Sequence, residues 1–323
     1  MAEDERTTTG TVKDAENFDA ERDAETLRKA MKGMGTDENA ITSVLACRSN
    51  SQRQQIKVKF AAMFGKELKK ELKSELSGNY EAAVLELLME PAEYDAYQCH
   101  SAISGLGTDE SCLIEILCSR SNGEIHALRE AYKKYHKKDL VKDIRDDTSG
   151  HLRRLLVSLV QGERPEDEVL DQEKARKDAL ALFVAGEAKL GTDESRFNVV
   201  LASRSIPQLL LTFDEYEKVS ENKTIEKAIS SEMSGDLKEG MLSVVKCARN
   251  KSAYFAERLY QSMKGLGTND RTLIRIMVSR CEVDMVQIKQ EFQRAYGKTL
   301  DSFIKDDCSG DYKRLLMQLC TGN

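Results

Sequence analysis

The residues best placed to do chemistry are glycines paired with a distant acid. The loop Met31-Lys32-Gly33-Met34-Gly35-Thr36-Asp37-Glu38 returns as Ile103 to Glu110, as Ala188 to Glu194 entered from Gly186, and as Met263 to Asp270. Past the second glycine of each (Gly35, Gly107, Gly191, Gly267), an acidic residue precedes a Ser-Gly pair. These acids are Glu75, Asp147, Glu232 and Asp307, at offsets of 40, 40, 41 and 40. A P-loop is excluded because no Lys-Ser/Thr follows the glycines, and a dinucleotide loop because no strand precedes them. What the loop offers is backbone oxygen. A helix ending at Met31 leaves its last carbonyls without intrahelical partners, at the negative end of the macrodipole. Gly33 and Gly35 are free to take the positive φ that turns further carbonyls toward the same point. Three convergent carbonyls and one returning carboxylate make a hard, oxygen-only site. Such a site suits Ca2+, with its roughly 6–8 ligands, better than Mg2+ with its strict octahedron; waters or a ligand complete the shell. A second reading stays open, a tight interhelical turn with Thr36 as N-cap and Asp37 and Glu38 favouring the first helical turn. The fourfold recurrence of loop and acid favours the metal. Glu38, Glu110, Glu194 and Asp270 are explained by dipole compensation and are also candidates for a secondary cation role.

One carboxylate per divalent ion leaves a filled site net positive, and an incomplete shell leaves room for a lipid phosphate oxygen. Few charged ligands make for weak sites, toward the ~10⁻⁴ M end of the calcium range. If lipid completes the shell and raises calcium affinity, calcium raises lipid affinity by the same factor. The residue between the loop glycines is Met34, Leu106, Leu190 and Leu266, apolar each time. An apolar tip on a glycine turn has little to pack against, and insertion below lipid headgroups is the reading favoured over packing.

The loops recur at near-regular steps, marked by Gly35, Gly107, Gly191 and Gly267, so one supersecondary unit is used four times. An Arg follows each second glycine at an offset of 13 (Arg48, Arg120, Arg204, Arg280), which fixes the fold between. The first unit reads as five helices, Asp23 to Met31, Asp37 to Cys47, Ser51 to Phe64, Glu67 to Leu76 and Asn79 to Met89. The expected layout is a disordered tail over 1–18, then repeats over 19–90, 91–162, 163–248 and 249–323. The charged stretch Glu163-Arg164-Pro165-Glu166-Asp167-Glu168 lengthens the second step and is expected to be the main hinge. An extra residue near Lys218 to Lys223 accounts for the offset of 41. One such unit cannot cover its apolar face alone, so the four must pack together.

Composition bounds the rest. With 40% hydrophobic and 32% charged residues, three Pro and no Trp, the chain of 323 residues reads as all-α. A net charge of −6 argues against a nucleic-acid binder, and it implies mild repulsion from an anionic membrane without a cation. The first residues show no signal-peptide pattern, and no apolar run approaches the ~18–20 residues of a membrane span. A soluble, cytoplasmic protein is expected. The eight cysteines lack CxxC spacing and read as reduced, largely buried thiols. The four histidines, His100, His126, His136 and His151, all fall in the second repeat without metal-ligand spacing; surface or packing roles are favoured over pH sensing. No nucleophile–base–acid constellation is found, so no enzymatic activity is expected.

The pattern G-x-G-T-[DN]-[DE], used four times and followed each time by its distant acid, resembles the annexins over nearly everything after about residue 18. The resemblance implies four homologous five-helix repeats packed in a slightly curved disc, with calcium loops binding anionic, phosphatidylserine-rich membranes. It carries the primary ligands over to the carbonyls of Met31, Gly33 and Gly35 with Glu75; of Ile103, Gly105 and Gly107 with Asp147; and of Met263, Gly265 and Gly267 with Asp307. The third repeat departs from the pattern, and its ligands fall on Gly186, Lys189 and Gly191 with Glu232. Thr36, Thr108, Thr192 and Thr268 join Glu38, Glu110, Glu194 and Asp270 as secondary candidates. Asp95, Glu115, Arg120, Arg275 and Arg280 lie on helices that line the family's polar central passage, where a structural ion-pair network is the plainer account. The tail lacks the amphipathic stripe by which some annexins capture a protein partner, and self-association on the membrane is left open. The expected function is calcium-dependent peripheral docking on the cytoplasmic face of membranes, in membrane organisation, trafficking or repair. The alternatives are a calcium-independent helical scaffold for protein partners and a cation-conducting channel.

Overall fold

A computed structural model describes residues 8–33, 35–167, 169–186 and 191–323; Met34, Glu168 and the stretch 187–190 lie outside it. Among the described residues the secondary structure is twenty α-helices and no strand, in four sets of five. The first set is α1 (Ala20–Ala30), α2 (Glu38–Leu45), α3 (Asn50–Phe64), α4 (Leu68–Glu75) and α5 (Gly78–Leu87). The second is α6 (Pro91–Ile103), α7 (Glu110–Ser119), α8 (Asn122–His136), α9 (Leu140–Asp147) and α10 (Gly150–Leu159). The third is α11 (Gln172–Gly186), α12 (Glu194–Ser203), α13 (Ile206–Val219), α14 (Ile225–Glu232) and α15 (Gly235–Arg249). The fourth is α16 (Lys251–Met263), α17 (Asp270–Arg280), α18 (Met285–Tyr296), α19 (Leu300–Asp307) and α20 (Gly310–Thr321).

Local chemistry sets the ends. Asp19 caps α1 by accepting from the amides of Glu21 and Arg22, so this helix starts earlier than its apolar periodicity suggests. Ser49 with Gln52 and Ser121 with Glu124 form capping boxes on α3 and α8. The extra residue of the third repeat falls in the turn between α13 and α14. There Glu221 and Asn222 both take left-handed backbone (φ 53° and 71°), where the other repeats turn at a single left-handed residue.

The chain divides into two compact units, Asp95–Tyr254 and residues 8–94 with Phe255–Asn323. Repeat 2 is therefore joined to repeat 3, and repeat 1 to repeat 4. Within each unit the second helix of one repeat packs on the fifth of the other, reciprocally: α7 on α15 and α12 on α10, then α2 on α20 and α17 on α5. This buries Leu113, Leu156, Leu201 and Val245 in one unit and Ile41, Val84, Ile276 and Leu316 in the other.

Two expectations fail here. Of the hinge expected at Glu163–Glu168, the described residues 163–167 lie inside one unit and are anchored there at Arg164. Arg164 exchanges backbone hydrogen bonds with the Asn122 side chain (2.7 and 3.2 Å), and its guanidinium donates to the Arg204 carbonyl at 2.6 Å. Nor is the segment before α1 disordered over residues 8–18. Val12 is buried and its amide donates to the Cys281 carbonyl at 2.9 Å. The Thr11 hydroxyl reaches the Leu319 carbonyl at 2.5 Å, and Ala15 and Gln52 exchange bonds of 3.0 and 3.1 Å. A Cβ on Gly10 would lie 2.3 Å from the Glu282 carbonyl carbon, so only glycine fits. A polar composition satisfied by backbone pairing carries no helical periodicity and so resembles a loose tail. Residues 1–7 lie outside the described residues.

Candidate metal centres

Each loop is closed by one backbone bond. The amides of Asp37, Asp109, Asp193 and Asn269 donate to the carbonyls of Ala30, Ala102, Ala185 and Ser262, at 2.7–2.9 Å. The same four side chains then cap α2, α7, α12 and α17, accepting from Ala40, Cys112, Arg196 and Thr272. The N-cap is thus the residue after the threonine, and Thr36 does not fill that role. Glu38, Glu110, Glu194 and Asp270 are the first residues of those helices, where their charges meet the positive end of the dipole. The Glu38 carbonyl also accepts from the Tyr80 hydroxyl (2.8 Å), a phenol that burial pushes up to about 12 and so keeps protonated. Glu194 lies 3.7 Å from His151.

Immediately after these acceptors, inside the closed loop, come the carbonyls of Met31, Ile103, Gly186 and Met263. With those of Gly33, Gly35, Gly105, Gly107, Gly191, Gly265 and Gly267, none accepts a hydrogen bond from another described residue. Gly33, Gly35, Gly107, Gly191, Gly265 and Gly267 have φ between 85° and 120°, the conformation that glycine alone takes readily. A Cβ added at any of these six would meet nothing within 4 Å, so the space beside the loops is open. Gly105 differs in having no positive φ, and its Cβ position lies 3.8 Å from the Gly107 carbonyl oxygen.

The distant acids arrive where the spacing requires. Each closes the fourth helix of its repeat, and each meets the loop threonine. Thr108 Oγ1 donates to Asp147 Oδ2 at 2.6 Å, and Thr268 bonds Asp307 Oδ2. Thr36 and Thr192 lie 3.4 and 3.3 Å from the carboxylates of Glu75 and Glu232. In repeat 3 a Cβ on Gly186 would also touch Glu232 Cγ at 3.5 Å, which joins the displaced glycine to its acid. Lys189 and Leu190, like Met34, lie outside the described residues. Leu106 and Leu266 are fully exposed, at 109% and 108%. Among the described residues no cluster of three or more His, Cys, Asp or Glu side chains could hold a metal. An ion at these loops would therefore take most of its ligands from backbone oxygen. Unpaired carbonyls, one carboxylate and open space fit Ca2+, whose ligands are oxygens in a flexible geometry.

The repeated arginines form a second constellation, whose acids the sequence reading did not identify as a set. Arg48 grips Asp23 (2.6 and 3.0 Å), Arg120 grips Asp95 (2.7 and 2.8 Å), and Arg204 grips Asp178 (2.7 and 3.0 Å). At the matching place in repeat 4 stands Phe255. Arg280 lies over that ring at 4.6 Å and turns to Asp284, which sits at the α18 N-cap but makes no cap bond. An aspartate at a near-constant distance before each of three arginines was the available signal. Asp95, Arg120 and Arg280, expected along a central passage, are thus each held in an ion pair within their own unit. Glu115 and Arg275 are buried at 1% exposure.

Fold and loops together define a four-repeat protein, helical among the described residues, whose glycine loops present unpaired backbone oxygens. The family model Annexin matches residues 22–87, 94–159, 177–244 and 254–319. Annexin A11 of Homo sapiens is 56% identical over 314 residues, 97% of this chain and 62% of that protein. Annexin A4 of Sus scrofa is 54% identical over 97% of this chain and 98% of its own length. Among solved structures, annexin III matches with a TM-score of 0.94 at 45% identity, covering 98% of both chains. Calcium-bound annexin (Sm)1 matches at 0.85 and 34%, over 97% and 93%. The chain belongs to the annexin family, whose conventional property is calcium-dependent phospholipid binding. It spans 62% of the length of its annexin A11 relatives. No helix among the described residues is long and apolar enough to cross a membrane.

Proposed function

We propose that this chain is a calcium-dependent, peripheral binder of anionic phospholipid, docking through its glycine loops. The observation that carries this reading is the fourfold convergence of glycine loop, threonine and acid, with Leu106 and Leu266 wholly exposed at the two described tips. Calcium, when bound, supplies the positive charge that attracts a lipid phosphate oxygen. The open carbonyls of Met31, Gly33 and Gly35, and their counterparts, would hold it together with Glu75, Asp147, Glu232 and Asp307. The protein's net charge of −6 opposes an anionic surface until those loops are filled, which makes the interaction a switch. Several weak sites in one chain add avidity. Repeat borders at 19–90, 91–162, 163–248 and 249–323, a cytoplasmic membrane face and a non-enzymatic role in membrane organisation, trafficking or repair belong to the same reading.

Sedimentation with phosphatidylserine vesicles across a calcium titration tests it. The natural chain should pellet only with calcium, and a Glu75→Gln, Asp147→Asn, Glu232→Gln, Asp307→Asn variant should stay in the supernatant. Equal behaviour of the two chains would make the loops mere turns and redirect attention to a helical scaffold for protein partners.

A further inference from the structure

The four loops share a plan but differ in how the acid is held. In repeats 2 and 4 the acid is aspartate, and the threonine hydroxyl makes a close bond to it, 2.6 Å for Thr108 to Asp147. In repeats 1 and 3 it is glutamate, and the threonine stands off at 3.4 and 3.3 Å. O–H···O bonds have lengths of about 2.5–3.0 Å, so the first pair are made bonds and the second pair are marginal. None of the four threonines is spent on helix capping, because the next residue in each loop does that. The Thr108 and Thr192 hydroxyls also lie 3.2 Å from the backbone carbonyls of Asp147 and Glu232; for Thr108 the carboxylate is the much closer partner, whereas for Thr192 the carbonyl is the nearer one. A carboxylate has two oxygens and about four lone-pair sites, so a bond to one oxygen leaves the other open to a cation. Aspartate also has one fewer side-chain torsion to fix than glutamate, and loses less freedom when a ligand orders it.

We propose that Thr108 and Thr268 are positioning residues that hold Asp147 and Asp307 ready for a divalent cation. The looser Thr36–Glu75 and Thr192–Glu232 pairs grade the loops, so that repeats 2 and 4 fill at lower calcium than repeats 1 and 3. This rests on the calcium-dependent reading above and adds an order of filling to it.

The test uses full-length chains that keep one of the four acids and have the other three neutralised, with calcium binding followed calorimetrically without lipid. The chain keeping Asp147 should bind calcium more tightly than the one keeping Glu75. In the Asp147 chain, Thr108→Val should weaken binding about two- to tenfold, the usual cost of ordering a flexible side chain. Thr108→Ser, which keeps the hydroxyl, should restore it. In the Glu75 chain, Thr36→Val should change binding less than twofold. Asp147→Glu, with Thr108 intact, should bring the second loop to the level of the first. Thermal unfolding in chelator, unchanged by Thr108→Val, separates loss of positioning from loss of fold. If that variant unfolds, the Asp147→Glu exchange decides alone. Equal affinity of the Glu75 and Asp147 chains, or no effect of Thr108→Val in a folded chain, overturns the proposal while leaving calcium binding intact. Absence of calcium binding in the natural chain, with and without phosphatidylserine vesicles, would instead overturn the functional reading itself.

Discussion

At the scale of single residues, the exposed leucines are the most informative side chains. A leucine left wholly in water gives up the ~1.5–3 kcal/mol that burial would return. Leu106 and Leu266 do so at the tips of two turns of the same design. Replacing either by aspartate should not change the thermal midpoint in chelator, since neither side chain is buried in the fold. Each replacement should raise the calcium needed to pellet half of the protein with phosphatidylserine vesicles. An unchanged calcium requirement in the Leu106→Asp, Leu266→Asp double variant would mean that the tips stay outside the lipid. Arginine shows the reverse case, a charge whose partner was not legible as one of a set. The spacing of Arg48, Arg120 and Arg204 was plain in the sequence, but the bidentate grip on Asp23, Asp95 and Asp178 depends on two helices coming together. Phe255 under Arg280 marks where the repeat found a different solution.

At the scale of elements, the meeting of the first, third and fourth helices is built from different chemistry in repeats 1, 2 and 4. In repeat 4, Tyr260 and Tyr296 stack at 3.8 Å and Phe292 and Phe303 close around them. In repeat 1, Arg28 lies over Phe64 at 5.9 Å and pairs with Glu71 at 2.9 Å. In repeat 2 the stacked pair is His100 and His136, at 3.9 Å, with Tyr132 donating to Asp143 beside them. Burial first, then the His100 and Lys138 charges, hold the His136 imidazole below the usual histidine range, against the pull of Asp143. A lowered folded pKa means that the unfolded chain binds more protons. The contribution to stability is therefore complete above the unfolded value of about 6.5 and is lost as pH falls from there through the lowered folded value. Denaturant midpoints measured from pH 7.5 to 5 should fall across that window in the natural chain. They should fall less in a His100→Tyr, His136→Tyr variant carrying the repeat-4 pair. Identical slopes would remove the histidine stack as the cause. The contact between His100 and His136 is not legible in the sequence, because nothing in the spacing of the histidines announces it.

At the scale of the whole molecule, one unit joins consecutive repeats and the other joins the first repeat to the last. Repeats 1 and 4 share one unit and repeats 2 and 3 the other, and the segment before α1 is bound within the first of these. Glu282 of repeat 4 accepts from the Asn50 amide at 2.9 Å, at the start of α3 of repeat 1, and pairs with the buried Arg53. Gly10→Ala would force a methyl group into the backbone of Glu282. That substitution should release the segment, seen as new protease cleavage before residue 20 and a lower unfolding midpoint; the natural cleavage pattern would show that the contact is dispensable. The sequence by itself determined the helical class, the four repeats, the loop glycines and the acids that return to them. Those features are local or periodic, and a fixed spacing repeated four times carries its own geometry. Only the tertiary structure decided which repeats pair, that the linker is anchored at Arg164 and that the Thr8–Phe18 segment is bound. It also decided which aspartate each arginine holds and how closely each threonine meets its acid. These depend on apolar faces and side-chain lengths meeting across long stretches of chain, where many partners are compatible with the same pattern and packing selects one.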